Sequence, residues 1–359
     1  MAVDNDALLD LLATTLKDLP KGDFEVMWDS QNFEFCNIYN AERRKIDGGT
    51  SIQRNVVLDE TGNARYRKLF DTDTPTVNNV QKQIDVPWAQ VGTDYSWDVL
   101  EILRNKNSAK GYIDLLESRR VERLWGLAEL IEDRGWKTPT SATDKLYPYG
   151  IPYYLNMLNT GVTTGGFSGQ TITYQDGSTG TVCAGIDAAV EGKWRNYADV
   201  YVKVDAALLR KMRKAFLLTR FKPPQMVKAP GQDAPGQTVK IYCDSDRAVE
   251  FMDLADKRDD ANTPKDLAGK VLVDVEGATY FNRRPIVYIP QLDGVTFQPI
   301  YCVDWSKIQP IVQDGYWMVE SKPMMDRLQH TTITVYLDAC HNNLCINRRT
   351  AGWVMHTAT

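Results

Sequence analysis

The sequence predicts an α+β protein built as one interleaved body with long extensions. Three observations predict it. Strand-like runs between 51 and 91 carry few apolar residues, one amphipathic helix runs unbroken over 108–134, and a strand and helix text from Thr238 turns wholly strand-like towards the end.

Residues 4–18 put Leu8, Leu11, Leu12 and Leu16 on one face with acids near the start, which predicts an amphipathic helix. After Pro20 the text is aromatic and polar (Phe24, Trp28, Phe33, Phe35, Tyr39), then basic at Arg43, Arg44 and Lys45, and it breaks at Gly48 and Gly49; an extended arm is expected. Strand runs follow at Ile52–Leu58 and Ala64–Phe70 around a turn at 60–63, with alternation through Ile84, Val86 and Trp88. A hairpin excursion of about forty residues cannot bury a core alone, so it must lie on its own body or on a neighbouring subunit.

Ser108 is placed to cap the next helix, and Gly135 to stop it at the position after its last turn. Its length is about 40 Å at 1.5 Å per residue. Ile113, Leu116, Arg120, Leu124, Leu127 and Ile131 share a stripe, and Glu117, Arg119, Glu122, Arg123, Glu129 and Glu132 populate the rest. The stretch 138–190, with Pro139, Pro148 and Pro152 and a Gly, Ser and Thr-rich run over 161–185, reads as loops. A strand over Ala198–Val204 leads to a basic amphipathic helix over Ala206–Leu218, closed by Lys222-Pro223-Pro224, and 229–236 form an exposed connection. Then come strand Thr238–Cys243, helix Ser245–Asp256 with Asp244 or Ser245 as its N-cap, a charged loop through Pro264, and strands Lys270–Val275, Thr279–Phe281 and Pro285–Ile289. The end is β-rich, from Ile300 through Thr331–Leu337 and Leu344–Met355.

Composition narrows the function classes. The 359 residues carry 42 basic against 47 acidic side chains, a net charge of -5, which argues against a protein that wraps nucleic acid through phosphate neutralisation. Three histidines are a poor supply for imidazole catalysis. The six cysteines are scattered without a CxxC pair, the N-terminus lacks the pattern of a signal peptide, and no stretch approaches about 20 apolar residues; free thiols in a cytosol are expected, with no membrane span.

Chemical motifs are weak. Gly161, Gly165, Gly166 and Gly169 lack the GK[ST] ending of a phosphate loop, and Gly166-Phe167-Ser168-Gly169 lacks the spacing of a nucleophile elbow. Cys340, His341 and Cys345 with upstream His330 are the only soft-ligand cluster, but adjacent residues of a strand point to opposite faces, so buried thiols are expected instead of a metal site. Asp244/Asp246 and Asp253/Asp256 sit at helix ends or on a solvated face. Arg283 and Arg284, like Arg348 and Arg349, are either intersubunit ion pairs or ordinary surface charge. An arm, a hairpin that cannot stand alone, a long helix and no catalytic constellation are what a subunit of an interlocking assembly needs.

This order of elements resembles the major capsid proteins of tailed bacteriophages, the Hong Kong 97-type fold. Residues 1–49 look like the N-terminal arm, 50–92 like the E-loop hairpin and 108–134 like the spine helix. The resemblance divides the rest into a peripheral domain over 93–225 with the loop 160–185, an axial domain over 226–325, and C-terminal strands over 326–359. The text from Gly277 to Asp293, with Pro285 and Pro290 around a strand, is similar to the axial-domain segment, although Arg284 stands where that segment usually carries glycine. The ending Cys345–Val354 and the stretch Gly185–Tyr201 are similar to the C-terminal strands and to a peripheral-domain segment.

The resemblance implies a structural virion protein, not an enzyme, that assembles with itself as hexamers and pentamers into the icosahedral head around double-stranded DNA. It implies a portal, and decoration and separate scaffolding proteins as further partners, no cofactor, no metal, no membrane, and assembly in the host bacterial cytoplasm. An acidic shell encloses DNA without gluing it down. Basic residues are then spent between subunits: Arg54, Arg65, Arg67 and Lys68 of the hairpin towards acids such as Glu117 and Glu122 on a neighbouring spine helix, with Arg283, Arg284, Arg348 and Arg349 as further assembly contacts. The alternatives are another phage subunit, a tail tube or tail terminator, which forms rings or tubes, or a cytosolic α/β hydrolase or transferase using carboxylates.

Overall fold

The structure, a computed structural model, describes residues 33–59, 63–72, 76–77, 79–104, 109–159, 161–220, 239–256, 271–273, 279–325 and 331–358. The helix expected over 4–18, the turn at 60–62, the Ser108 cap, the connection over 222–236, the loop through Pro264 and His330 lie outside the described residues. In chain order the elements are α1 (Glu34–Glu42), β1 (Arg44–Ile46), β2 (Ser51–Val57), β3 (Gln81–Pro87), β4 (Ala89–Asp98), α2 (Val99–Arg104), α3 (Ala109–Gly135) and α4 (Ile151–Tyr154). Short strands follow: β5 (Gly166–Gly169), β6 (Ile172–Thr173), β7 (Thr179–Gly180), β8 (Val182–Cys183) and β9 (Ile186–Asp187). Next come β10 (Asn196–Tyr201), α5 (Ala206–Thr219), β11 (Val239–Cys243), α6 (Ser245–Asp256), β12 (Val271–Val273), β13 (Thr279–Phe281) and β14 (Arg284–Tyr288). The chain closes with β15 (Ile300–Asp304), β16 (Ile308–Gln313), β17 (Val319–Glu320), β18 (Met324–Met325), β19 (Thr332–Cys345) and β20 (Gly352–Thr357).

Two sheets organise these elements. In the first, β19 pairs along its length with β4 on one side, from Thr332↔Asp98 to His341↔Ala89, and on the other side with β18, β17 and β16 in turn; β1 adds parallel to β16. The second has eight strands in the order β12-β13-β14-β11-β15-β20-β10-β5, with β11/β14 and β10/β20 parallel. Helices α5 and α6 cover this sheet and bury Leu208, Leu209, Met212 and Phe251 with Tyr197, Phe281, Trp353 and Met355. Asp205 caps α5 by accepting the N–H groups of Ala207 and Leu208, and Asp244 caps α6 by accepting that of Arg247 at 3.1 Å. The larger core draws on both sheets and on α1 and α3, and buries Phe35, Tyr39, Leu127, Ile131, Trp136, Tyr242, Trp305 and Leu344 together.

Several expectations change. The aromatic text after Pro20 is not an extended arm throughout: Glu34–Glu42 is a helix, because Phe35, Ile38 and Tyr39 stand at i, i+3 and i+4 and all three are buried. The expected strand over 64–70 does not form; the hairpin ladder stops at Val57↔Gln81. Gly135 is the last residue of α3 and has no left-handed φ; it is glycine because a Cβ there would lie 2.5 Å from the Phe35 ring. The stretch read as loops contains the short ladders β6/β7 and β8/β9, and β5 joins the second sheet. The departure at Arg284 is absorbed by its neighbours: Asn282 and Arg283 carry the positive φ values of the two-residue turn, and Arg284 pairs opposite Phe281.

Candidate assembly surfaces and the joints that position them

The hairpin β2/β3 has a buried base and a bare end. Ile52, Ile84 and Val86 point into the large core, and Asp85 N–H donates to the Ala184 carbonyl at 3.0 Å, so the base is fixed to its own body. Trp88 Nε1 donates to the Gly49 carbonyl at 2.9 Å, and Lys193 Nζ meets Asp59 at 2.8 Å. Beyond Val57 the segment is organised by polar contacts: Asn63 Nδ2 donates to the Thr76 carbonyl, Thr76 N–H and Oγ1 donate back to Asn63 Oδ1, and Arg65 Nη2 donates to the Thr72 carbonyl at 2.6 Å. Tyr66, Leu69, Phe70 and Val77 on this segment are fully exposed, each at 86% or more, and Phe70 holds a φ of 64°. Four large apolar side chains in water on an arm anchored at its base form a surface that favours burial against another molecule.

Helix α3 is tied at several points. Arg119 makes a two-pronged pair with Glu101, 2.9 and 3.2 Å, and Nη1 also donates to the Ser96 carbonyl. Arg120, expected on the apolar stripe, is exposed and pairs with Glu320 at 2.6 Å across to β17. Leu127 and Ile131 are buried and Leu124 is half-buried, as the stripe predicts.

Glu132 departs from its expected place on the polar side. It is fully buried, and its carboxylate accepts the N–H of Phe35 at 2.7 Å, the N–H of Cys36 at 3.4 Å and Trp136 Nε1 at 2.8 Å. It thus satisfies the first free N–H groups of α1 from another helix. Burial raises its pKa to about 7, against the three hydrogen bonds, and neighbouring Glu34 adds to the rise. Glu34, itself buried, accepts from Lys240 Nζ and from Tyr242 Oη at 3.1 Å, and Trp305 Nε1 donates to that same Tyr242 oxygen at 2.8 Å. Carboxylates on α1 and α3 therefore link those helices to β11.

Arg348 sits where the chain leaves the first sheet after β19 and enters the second at β20. It is 0% exposed, and its guanidinium donates to the Tyr154 carbonyl at 2.6 Å, the Trp194 carbonyl at 3.1 Å and Asn196 Oδ1 at 3.2 Å. That placement withdraws Arg348 as an intersubunit contact; it is a joint within the chain. No sequence signal separates it from its neighbour Arg349, which is half-buried over the Phe167 ring at 4.0 Å.

The other expected contacts are scattered. Arg65, Arg67 and Lys68 are exposed on the hairpin segment and Arg54 is half-buried in β2; Glu117 and Glu122 are exposed on α3; Arg283 is exposed in its turn. Arg284 lies over the Phe216 ring at 4.2 Å. None of these basic residues meets Glu117 or Glu122 in an ion pair among the described residues of the single chain. Cys340, His341 and Cys345 are buried in β19, where His341 packs edge-on to Tyr39 and Trp317 and burial lowers its pKa to about 4. No described helix is long and apolar enough to cross a membrane.

No family model matches the sequence, and no curated protein matches it. Solved structures do match over nearly the whole chain. The capsid asymmetric unit of cyanophage A-1(L) aligns at 14% identity and a TM-score of 0.60, covering 97% of this chain and 99% of that one. A capsid chain of a native GTA particle aligns at 8% identity and 0.53, covering 95% of each. Mycobacterium phage Bobi aligns at 10% identity and 0.52, covering 97% of each. By this likeness over nearly its whole length, the chain has the Hong Kong 97-type fold of tailed-phage major capsid proteins.

Proposed function

We propose that the chain is a structural virion protein, not an enzyme, whose copies assemble as hexamers and pentamers into an icosahedral head that encloses double-stranded DNA. The observation that carries this reading is the hairpin: its base is locked into the subunit core while Tyr66, Leu69, Phe70 and Val77 stand fully exposed beyond it. In a closed shell those side chains are covered by a second copy. The fold likeness supports a head subunit over a tail tube or a tail terminator.

In this reading 1–49 are the arm, 50–92 the E-loop, 93–225 the peripheral domain, 226–325 the axial domain, and 326–359 the returning strands. The exposed Arg65, Arg67 and Lys68, with Arg54, reach Glu117 and Glu122 of a neighbouring α3, and Arg283, Arg284 and Arg349 serve other contacts. Portal, decoration and scaffolding proteins are the further partners, and the net charge of -5 keeps the packaged DNA from adhering to the wall. Negative-stain microscopy of the purified protein, alone and with its co-expressed neighbouring genes, tests the reading. Closed shells are expected; rings or tubes would point to a tail subunit, and a small fixed oligomer to an enzyme.

A further inference from the structure

The second sheet holds a small cavity, separate from the hairpin and from the joints described above. It has a volume of about 60 Å³ and lies where the end of α5 meets β14, β15 and the start of β20. Since a water needs only about 10–15 Å³ measured this way, the space admits an occupant of several atoms. Two of its lining residues carry polar atoms without a hydrogen-bond partner among the described residues, Trp353 Nε1 and Thr350 Oγ1, and Trp353 is 0% exposed. An indole N–H can only donate, so what it lacks is an acceptor.

The remaining polar lining has the same bias. Arg220, exposed at the end of α5, and half-buried Arg284 both line the cavity, and Arg284 lies against the Phe216 ring, an arrangement that leaves the in-plane N–H groups of a guanidinium for acceptors. Among the described residues of the lining Asp304 is the single acid, and its Oδ1 is taken by Ser306, which donates its N–H at 3.0 Å and its hydroxyl at 2.6 Å. Thr219 also lines it, with its hydroxyl given to the Ala215 carbonyl at 2.8 Å, so the described lining presents two guanidiniums, an unpaired indole N–H and an unpaired hydroxyl against one engaged carboxylate. A cation is repelled by that set, and an apolar ligand leaves the donors unsatisfied.

We propose that this cavity binds a small tetrahedral oxyanion of the phosphate type, its charge held by Arg220 and Arg284 and its oxygens accepting from Trp353 Nε1 and Thr350 Oγ1. The volume suits a free anion; a phosphodiester with its sugars and the rest of a duplex does not fit. The site clamps the end of α5 to the strands beneath it, independently of whether the chain builds a shell.

The test is the thermal midpoint of the purified full chain in sodium phosphate against sodium chloride at equal ionic strength, read together with the indole N–H signals of protein labelled with 15N-tryptophan. Phosphate at tens of millimolar is expected to raise the midpoint by about 2 °C or more. It is also expected to move one indole signal, the one missing in Trp353→Phe. Arg284→Gln should abolish both effects, and Thr350→Val, which keeps every charge, should weaken them. Short duplex DNA at the same phosphate concentration should produce neither. The proposal is overturned if phosphate acts no differently from chloride, if Arg284→Gln and Thr350→Val respond like the parent, or if the duplex reproduces the response. Should Arg284→Gln fail to fold, Thr350→Val and the indole signal decide.

Discussion

Glu132 on the long helix accepts the backbone N–H of Phe35 at 2.7 Å, so the first turn of the arm helix is capped by a carboxylate 97 positions away. The pair fixes where the arm crosses the long helix, and Phe35 then fills the space between Trp136 and Trp305, edge-on to both at 5.3 and 5.2 Å.

Because burial raises the Glu132 pKa from 4.5 to about 7, this group favours the folded chain in acid. Its contribution is full below the unfolded value near 4.5 and is lost as pH rises through 7. The shift corresponds to about 3 kcal/mol at 1.36 kcal/mol per unit. Urea unfolding at pH 5 and pH 8 should show the parent losing on that order of stability relative to Glu132→Gln. Identical pH slopes in the two proteins would remove the cause assigned here.

Two glycines of the same helix should respond in opposite directions. A Cβ at Gly126 meets nothing within 4 Å, so Gly126→Ala should gain about 1 kcal/mol of helix propensity. At Gly135, the last residue of the helix, the added methyl lies 2.5 to 2.7 Å from fully buried Phe35, and Gly135→Ala should cost about 1–3 kcal/mol. Thermal melts of the unassembled subunit distinguish these signs.

Adjacent arginines should differ as sharply. Arg348→Ala strips donors from three acceptors at the crossing between the sheets and should cost about 3–5 kcal/mol, with Arg348→Lys restoring little because an ammonium cannot span them. Arg349→Ala removes one ring contact and should cost about 0.5–1 kcal/mol. Denaturation midpoints of the three variants make the comparison.

Charge reversal addresses the proposed subunit contacts. Arg65→Glu with Arg67→Glu should leave the subunit folded, since both residues lie on the exposed segment, yet prevent closed shells. Size-exclusion chromatography combined with circular dichroism separates a folded, unassembled subunit from a misfolded one. Normal particles from this variant would end the charge pairing with Glu117 and Glu122.

Much of the fold was legible in the residues because the signals were local. Helix Ser245–Asp256 has its predicted bounds, since the Asp244 cap precedes a regular apolar period, and the hairpin strands follow from alternation. The helix at Glu34–Glu42 carried its spacing in Phe35, Ile38 and Tyr39, but the aromatic and polar surroundings masked it. Glu132 and Arg348 were not legible. On a helical wheel Glu132 belongs with the solvated acids, and only the approach of α1 turns that position inward. Arg348 is one of two neighbouring arginines, and its burial follows from the sheet-to-sheet crossing that brings Tyr154, Trp194 and Asn196 around it. The run 64–70 has strand-like composition, but the observed ladder ends before it, at Val57↔Gln81.

The proposed function requires another copy to bury the bare end of the hairpin. A cryo-electron microscopy reconstruction of particles formed by the full chain would show that burial. Tyr66, Leu69 and Phe70 are expected in contact with a neighbouring subunit in a closed icosahedral shell; a shell whose map leaves these three side chains in solvent, or a chain that forms no shell with its co-expressed neighbours, would overturn the proposed function.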